Sequence, residues 1–399
     1  MESKSNANSA ILATNGLKYK MPMPLSTTLV RTQKRQYSQK QSYDPSDTIV
    51  FDLNVSGQVD PENSYFTFRF VSDQSVIFGP NGFLSLIRDI RISSKNGVEL
   101  ERIQHLNQYS NWWVPSQNED RELEKTKLLT GHEQAYTQGQ AVGGLQVCIP
   151  MAWLTGMFRP HVKGQKIPSM LLSGARVEIV LESLNRGLDA LTATPPTFFR
   201  VEKPTIVLME HVVNDNTLKV LTEESSQNGL EYTYDRVFTS YEESASTSIN
   251  FQIKKAVSQA TSITTTIHDP ANQNNISENS FNSIDVNATP AVFSKFQYRL
   301  ASNYFPHQVI DNIPEAYSVS DMTTKKESKH TYNEYVLRLF NVSTPLKSEH
   351  GISSSGLAVN NSASVALEYE GNASNKTYYT FLTYTCLARA FLNQVSVKI

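Results

Sequence analysis

The sequence has only two cysteines, Cys148 and Cys386, and no CxxC pair. That excludes a disulfide framework and a thiolate zinc site. Charge is sparse as well: Asp, Glu, Lys and Arg make up 19% of the chain, against about 25% in ordinary domains. The formal net charge is −2, so the molecule as a whole is no polycation built for nucleic acid. No apolar run approaches the roughly 18 residues of a membrane span, and Thr205-Ile-Val-Leu-Met209 is only strand-length. The opening residues Met1 to Ser9 have no apolar centre, so no secretory signal is expected. What fills the gap is uncharged and polar: 106 of the 399 residues are Ser, Thr or Asn. Alongside them stand 18 Tyr and 18 Phe, rings that a disordered chain would lack. Thr, Tyr, Phe and Val suit a pleated surface and Ser and Asn suit turns, so the composition points to a large all-β protein.

Residues 1–45 read as an N-terminal arm with little periodicity. Lys4, Lys18, Lys20, Arg31, Lys34, Arg35 and Lys40 oppose only Glu2 and Asp44 there. A basic segment of this kind orders against a partner or stays a solvated tail. From Thr48 the period becomes two: Ile49, Phe51, Leu53 and Val55 alternate with polar residues, then Phe66, Phe68 and Phe70 do the same. Strict alternation is the mark of a strand with one buried face. Ile90 and Ile92 lead into Lys95-Asn96-Gly97-Val98, and Leu100 and Ile103 lead out; Asn-Gly predicts a hairpin with a type I′ turn. His105 to Trp113 suits a helical turn, and 114–144 reads as a long polar excursion. Strands are expected again at Leu145–Pro150, Arg176–Glu182 and Thr205–Val213. Cys148 and Cys386 lie in such apolar runs and are expected as buried, inert thiols.

The pattern then recurs in kind. Tyr232/Tyr234, Ile249/Phe251/Ile253 and Ile263/Thr265/Ile267 precede a loop over 270–290. Phe296/Tyr298/Leu300, Tyr335/Leu337/Leu339, Val365/Leu367/Tyr369, the run from Tyr378 to Phe391 and Val395/Val397/Ile399 follow it. No exact repeat recurs at a short period, which argues against a solenoid or propeller. Each half carries about eight short strands, as a jelly roll does, although other sandwiches share such patterns. The division expected is an arm over 1–45, a first roll over 46–210 and a second over 211–399.

Three stretches resemble one family. Leu84-Ser-Leu-Ile-Arg-Asp-Ile-Arg-Ile-Ser-Ser-Lys-Asn-Gly-Val-Glu-Leu-Glu-Arg-Ile103 is similar to the early hairpin of double jelly-roll major capsid proteins. Val147-Cys-Ile-Pro-Met151, with Lys166-Ile-Pro-Ser-Met-Leu-Leu172 and Ala175-Arg-Val-Glu-Ile179, resembles that family's Ile-Pro-Leu strand, its Leu-Pro segment and its next strand. Phe296-Gln-Tyr-Arg-Leu-Ala-Ser-Asn-Tyr-Phe-Pro-His-Gln308 is similar to a strand-and-loop in the second roll of capsid proteins from polinton-like viruses and virophages. The chain departs from the pattern at Met151, where Leu is expected, and at Trp153-Leu-Thr-Gly-Met-Phe158. The arm matches nothing specific. The resemblance implies two consecutive eight-stranded antiparallel jelly rolls and a homotrimer of near-hexagonal outline. It implies tiling of an icosahedral shell around double-stranded DNA, with penton and minor capsid proteins as further partners. It places the chain in the virion, assembled inside the host cell and not secreted.

No enzymatic constellation appears. Gly79-Pro-Asn-Gly82 leads into Phe-Leu rather than Gly-Lys-Ser/Thr, and Gly351-Ile-Ser-Ser-Ser-Gly356 is one residue off a nucleophile elbow. The eight histidines are scattered, without HExxH spacing. Glu223-Glu224 and Glu242-Glu243 are adjacent, which on a strand sends them to opposite faces. No catalytic residue, cofactor, metal or small-molecule substrate is therefore expected. Seven Asn-x-Ser/Thr triplets (Asn54, Asn275, Asn287, Asn341, Asn360, Asn372, Asn375) are frequent enough by composition alone, and no glycans are predicted. Lys18, Lys20, Arg31, Lys34, Arg35 and Lys40 are expected on the inner face, against a minor protein, membrane or genome. Trp112, Trp113 and Trp153 are either core packing or interface anchors. The rival readings are a transient assembly scaffold of the same fold and a carbohydrate-binding β-sandwich.

Overall fold

In the computed structural model the described residues are 28–398, less 161–163, most of 214–228 (219, 223 and 227 are described), 278–281, 285–292, 301–302, 325–327, 329, 347–356, 360–364, 372–374 and 392–393. Sixteen strands in chain order build two sandwiches. The first uses β1 (Thr28–Tyr37), β2 (Thr48–Asp52), β3 (Gln58–Ser72), β4 (Ile87–Ser93), β5 (Glu99–Ile103), β6 (Leu145–Pro150), β7 (Arg176–Leu181) and β8 (Phe199–Val213). The second uses β9 (Leu230–Ser244), β10 (Ser248–Ile253), β11 (Val257–His268), β12 (Lys295–Leu300), β13 (Asn303–Ile310), β14 (Asn341–Pro345), β15 (Val365–Glu370) and β16 (Lys376–Phe391). Their orders are β1-β8-β3-β6 facing β2-β7-β4-β5, then β9-β16-β11-β14 facing β10-β15-β12-β13. The second pair is the first with eight added to each number. Each set is an antiparallel jelly roll, two sheets with Greek-key connections.

The alternation in the sequence fixes which face each strand buries. Ile49 and Phe51, Phe66, Phe68 and Phe70, Ile90 and Ile92, and Val177 and Ile179 point into the first roll and are buried. Phe51 packs edge-to-face on Phe66, and Phe70 and Tyr136 each pack edge-to-face on Phe78. The second roll uses tyrosines instead, and two of the buried hydroxyls end on backbone carbonyls, as burial favours. Tyr298 donates to the Val342 carbonyl at 2.7 Å and Tyr335 to the Asn341 carbonyl at 2.6 Å.

Several expectations are corrected. Residues 28–37 are not part of an arm: they pair with β8 along their length, from Thr28↔Val213 to Tyr37↔Thr205. Gln36 alone is buried among the side chains described on β1, so the strand shows no hydrophobic alternation to read. The Lys95-Asn96-Gly97 loop is no type I′ turn, because only Gly97 has positive φ, at 79°. The Gly97 amide donates to the Ser94 carbonyl at 2.9 Å and the Ser94 amide to the Val98 carbonyl at 2.8 Å. That is a type I turn closed by a glycine bulge.

The polar excursion is ordered: α1 (Leu106–Gln117), α2 (Asp120–Thr130) and α3 (Gln138–Gly143) lie between β5 and β6. β8 begins at Phe199 rather than Thr205, running through Lys203 and Pro204 by a break in register against β3. Tyr335/Leu337/Leu339 is not a strand. Between β13 and β14 lie α4 (Ile313–Asp321) and α5 (Tyr332–Leu337). Tyr335, Val336, Leu339 and Phe340 are buried while Leu337 is exposed, a helical spacing.

Candidate assembly surfaces

A chain made of two similar blades has one junction inside it and two outer ends. The junction is tight. A 3₁₀ turn, Gly156–Phe158, brings the first roll against β9, and Pro160 forms a β-bridge with Tyr234. Tyr232 donates to the Met157 carbonyl at 2.7 Å and Tyr234 donates to the Leu100 carbonyl. Thr239 Oγ1 donates to the Gln104 carbonyl at 2.8 Å, and Arg236 Nη2 meets Glu99 Oε1 at 3.0 Å. Every second residue of β9 from 232 to 236 thus reaches β5 or the 3₁₀ turn, because strand period two lines those side chains up on one face.

Beneath this contact Glu101 is fully buried and accepts the Gly156 amide at 2.7 Å and the Met157 amide at 2.8 Å. Burial raises its pKa, opposed by the positive charges of Arg159 and Arg236 and by those two amides. The helices between strands five and six of each roll also meet across the junction. Gln117 Nε2 donates to the Thr323 carbonyl at 2.8 Å, Glu119 bridges to Ser328, and Arg338 pairs with Glu133.

The tryptophans belong to this junction and its surroundings. Trp112 and Trp153 are buried inside the subunit, so as anchors for a neighbouring subunit they are corrected: their surface is already spent within the chain. Trp113 is half-buried, with the Arg159 guanidinium 4.2 Å from its ring centroid, a cation–π contact. Trp112, Trp113, Arg159 and Asp235 line a polar cavity of about 460 Å³ between the rolls.

Lys18 and Lys20 lie outside the described residues. Arg31 and Arg35 sit exposed on β1. Lys34, on the other side of the strand, approaches Asn54 Oδ1 at 3.5 Å and Ser56 Oγ at 3.4 Å. Lys40 is exposed in the following loop, 5.9 Å from the centroid of Tyr43. The structure therefore spreads the basic residues of 31–40 over two sides of β1 and a loop rather than one face. Cys386 is buried, with its thiol pushed up to about 12, and Cys148 is half-buried; both are free. Asn341, one of the glycosylation triplets, is fully buried. Gly351–Gly356 lies outside the described residues.

The outer edges are the counterparts, one roll removed, of the strands that the junction uses. β1 edges its sheet with no partner beyond β8 among the described residues, and Tyr37 is 67% exposed. β13 is the edge strand of the sheet β10-β15-β12-β13, with Val309 47% exposed.

No family model matches the chain, and no curated protein does. Solved structures do. A crystal structure of PBCV-1 VP54, fitted into a reconstruction of the virophage Sputnik, superposes with a TM-score of 0.64 at 11% identity, over 96% of this chain and 99% of that one. This fold is the double jelly roll. A cryo-EM structure of the Sputnik virophage matches at 0.63 and 10% identity, covering 95% of this chain and 90% of that one. The Faustovirus major capsid protein matches at 0.61 and 9% identity, covering 95% and 96%. At such identities the likeness is one of fold, and it runs over nearly the whole chain and so over both rolls.

Proposed function

We propose that this chain is the major capsid protein of a double-stranded DNA virus. It forms homotrimers of near-hexagonal outline that tile an icosahedral shell. The observation that carries this reading is the match of both rolls, in series, to capsid proteins over 96% of the chain. Two similar blades per copy and three copies per ring supply the six positions of a hexagonal tile. A net charge of −2 on 399 residues lets many copies pack without mutual repulsion. A surface rich in Ser, Thr and Asn supplies contacts between trimers that can break and re-form while errors anneal. On this reading the chain is structural rather than catalytic, works in the virion after assembly inside the host cell, and meets penton and minor capsid proteins at the edges of the tile.

The inner-face role moves to the segment before β1, where Lys4, Lys18 and Lys20 stand. Contact with genome, membrane or a minor protein through residues 1–27 predicts that deleting them leaves the rolls folded and empties or weakens the particle. The capsid reading is tested by sedimentation and negative-stain imaging of the purified chain. Three-chain particles of hexagonal outline are expected. A monomer at micromolar concentration, or absence of the protein from mature virions, overturns it.

A further inference from the structure

The cavity between the rolls has the walls of a ligand site. Its volume of about 460 Å³ falls in the range of small-molecule pockets. The first roll contributes three aromatic side chains, Tyr109, Trp112 and Trp113, and the guanidinium of Arg159. The second contributes Asp235 and the hydroxyls of Ser262 and Thr383.

Two hydrogen-bond donors on these lining residues are unused by the protein. Trp112 is 5% exposed, and its indole N–H has no acceptor among the described residues. Arg159 donates from Nε to the Thr155 carbonyl at 3.3 Å and from Nη1 to the Tyr109 hydroxyl at 3.4 Å, while its buried Nη2 has no partner among them. The guanidinium lies over the Trp113 ring. Its donors lie in its own plane, so the unused one is directed past that ring rather than into it. A buried N–H without an acceptor costs free energy, and two on one wall call for an oxygen from outside the chain.

Charge selects the class of molecule that brings this oxygen. Arg159 and Asp235 line the same cavity, with the carboxylate of the buried Glu101 close enough to act on Arg159 as well. An anion would pair with Arg159 but meet the acids, and a cation would pair with Asp235 but meet Arg159. A neutral molecule with several hydroxyls accepts from Trp112 and Arg159 and donates to Asp235, leaving no charge unpaired. Its C–H faces suit the aromatic wall, and the Ser262 and Thr383 hydroxyls can donate or accept as its orientation requires.

We propose that this cavity binds a small neutral polyhydroxy molecule of the monosaccharide class, held by Trp112 Nε1, Arg159 Nη2 and Asp235. Both rolls line the cavity, so the ligand bridges them and stabilises the junction by mass action. The site is independent of the capsid reading.

The test is titration calorimetry of the full chain with glucose, galactose, mannose and N-acetylglucosamine to about 50 mM, with inorganic phosphate and spermine as charged probes. At least one sugar should bind saturably with a dissociation constant on the order of 1 mM, and the charged probes should give no saturable heat. Trp112→Phe keeps a ring and removes the N–H; Arg159→Lys keeps the charge and removes Nη2. Each should weaken binding about tenfold, with circular dichroism melting to confirm that the variant is folded. Met322 lines the same cavity and is 68% exposed, so Met322→Trp should fold as the parent does and obstruct the site. Methyl glycosides distinguish a free sugar from the end of a glycan chain, and binding of either form supports the site. No saturable heat with any of the four sugars, or sugar binding that all three variants leave unchanged, overturns the proposal. So does a charged probe that binds in place of the sugars, and the capsid reading stands in each case.

Discussion

Gly156 lies so close to Asp235 that a Cβ placed on the glycine would stand 1.7 Å from the Asp235 carbonyl oxygen. The contact joins the two rolls backbone to backbone, and neither side can yield. The Gly156 amide is held by Glu101, while Asp235 sits in β9 paired with Thr385 of β16. Gly156→Ala must therefore push the 3₁₀ turn off β9. The expected cost is about 3 kcal/mol or more, read as a fall in the denaturation midpoint. Limited proteolysis should cut first between β8 and β9 as the rolls part. A variant as stable as the parent would show that the junction tolerates separation.

Glu101 is the second fixed point. Both its oxygens accept backbone amides that no other group serves. In Glu101→Gln one of those amides faces an NH₂ group, so a buried donor loses its acceptor beside the buried Arg236. The loss expected is roughly 2–4 kcal/mol. Tyr232→Phe and Tyr234→Phe each leave one carbonyl without its donor and should cost about 1–2 kcal/mol. Chemical denaturation of the three variants should rank Glu101→Gln as the most damaging.

The sequence made the two-roll plan legible because inward-facing strands repeat every second residue, as Phe66/Phe68/Phe70 and Ile249/Phe251/Ile253 do. It concealed what lacked that period. β1 escaped detection because its residues are held by backbone pairing to β8 with almost no buried side chains. The helix around Tyr335 passed for a strand because alternate apolar residues fit both periods over so short a run. The junction left weaker signals. Gly156 follows a strand and a helical turn without needing positive φ, and Tyr232 and Tyr234 looked like ordinary core residues. Their hydroxyls leave the second roll and end on carbonyls of the first, a relation between residues 75 and 134 positions apart. No local pattern records that.

Gly97 tests the corrected turn. Its φ of 79° is left-handed, and a Cβ there meets nothing within 4 Å. Gly97→Ala thus isolates backbone strain from crowding. The expected cost is about 1 kcal/mol. Gly97→Asn should recover part of it, since Asn tolerates that conformation better. A type I′ turn, by contrast, would make Asn96 equally sensitive. Here Asn96→Ala should be close to neutral, and a loss at Asn96 matching that at Gly97 would restore the type I′ assignment.

Acidification should destabilise the second roll. His268 and His330 are both buried there, and burial lowers each pKa to about 4. His268 is hydrogen-bonded to the Asn282 carbonyl and Thr266. Neither ring nitrogen of His330 has a partner among the described residues; its ring lies between Tyr317 and Tyr335 with Asp321 as the nearby acid. The unfolded chain takes up these protons near pH 6.5 and the folded chain only near pH 4. Their contribution is therefore complete above pH 6.5 and is lost as pH falls towards 4. Between pH 7 and pH 5 each histidine accounts for about 2 kcal/mol. His330→Phe keeps the ring packing and removes one titration. It should leave stability at pH 7 nearly unchanged and reduce the loss on going to pH 5 by about half of the two-histidine effect. An unaltered pH dependence in that variant would assign the acid sensitivity to other groups.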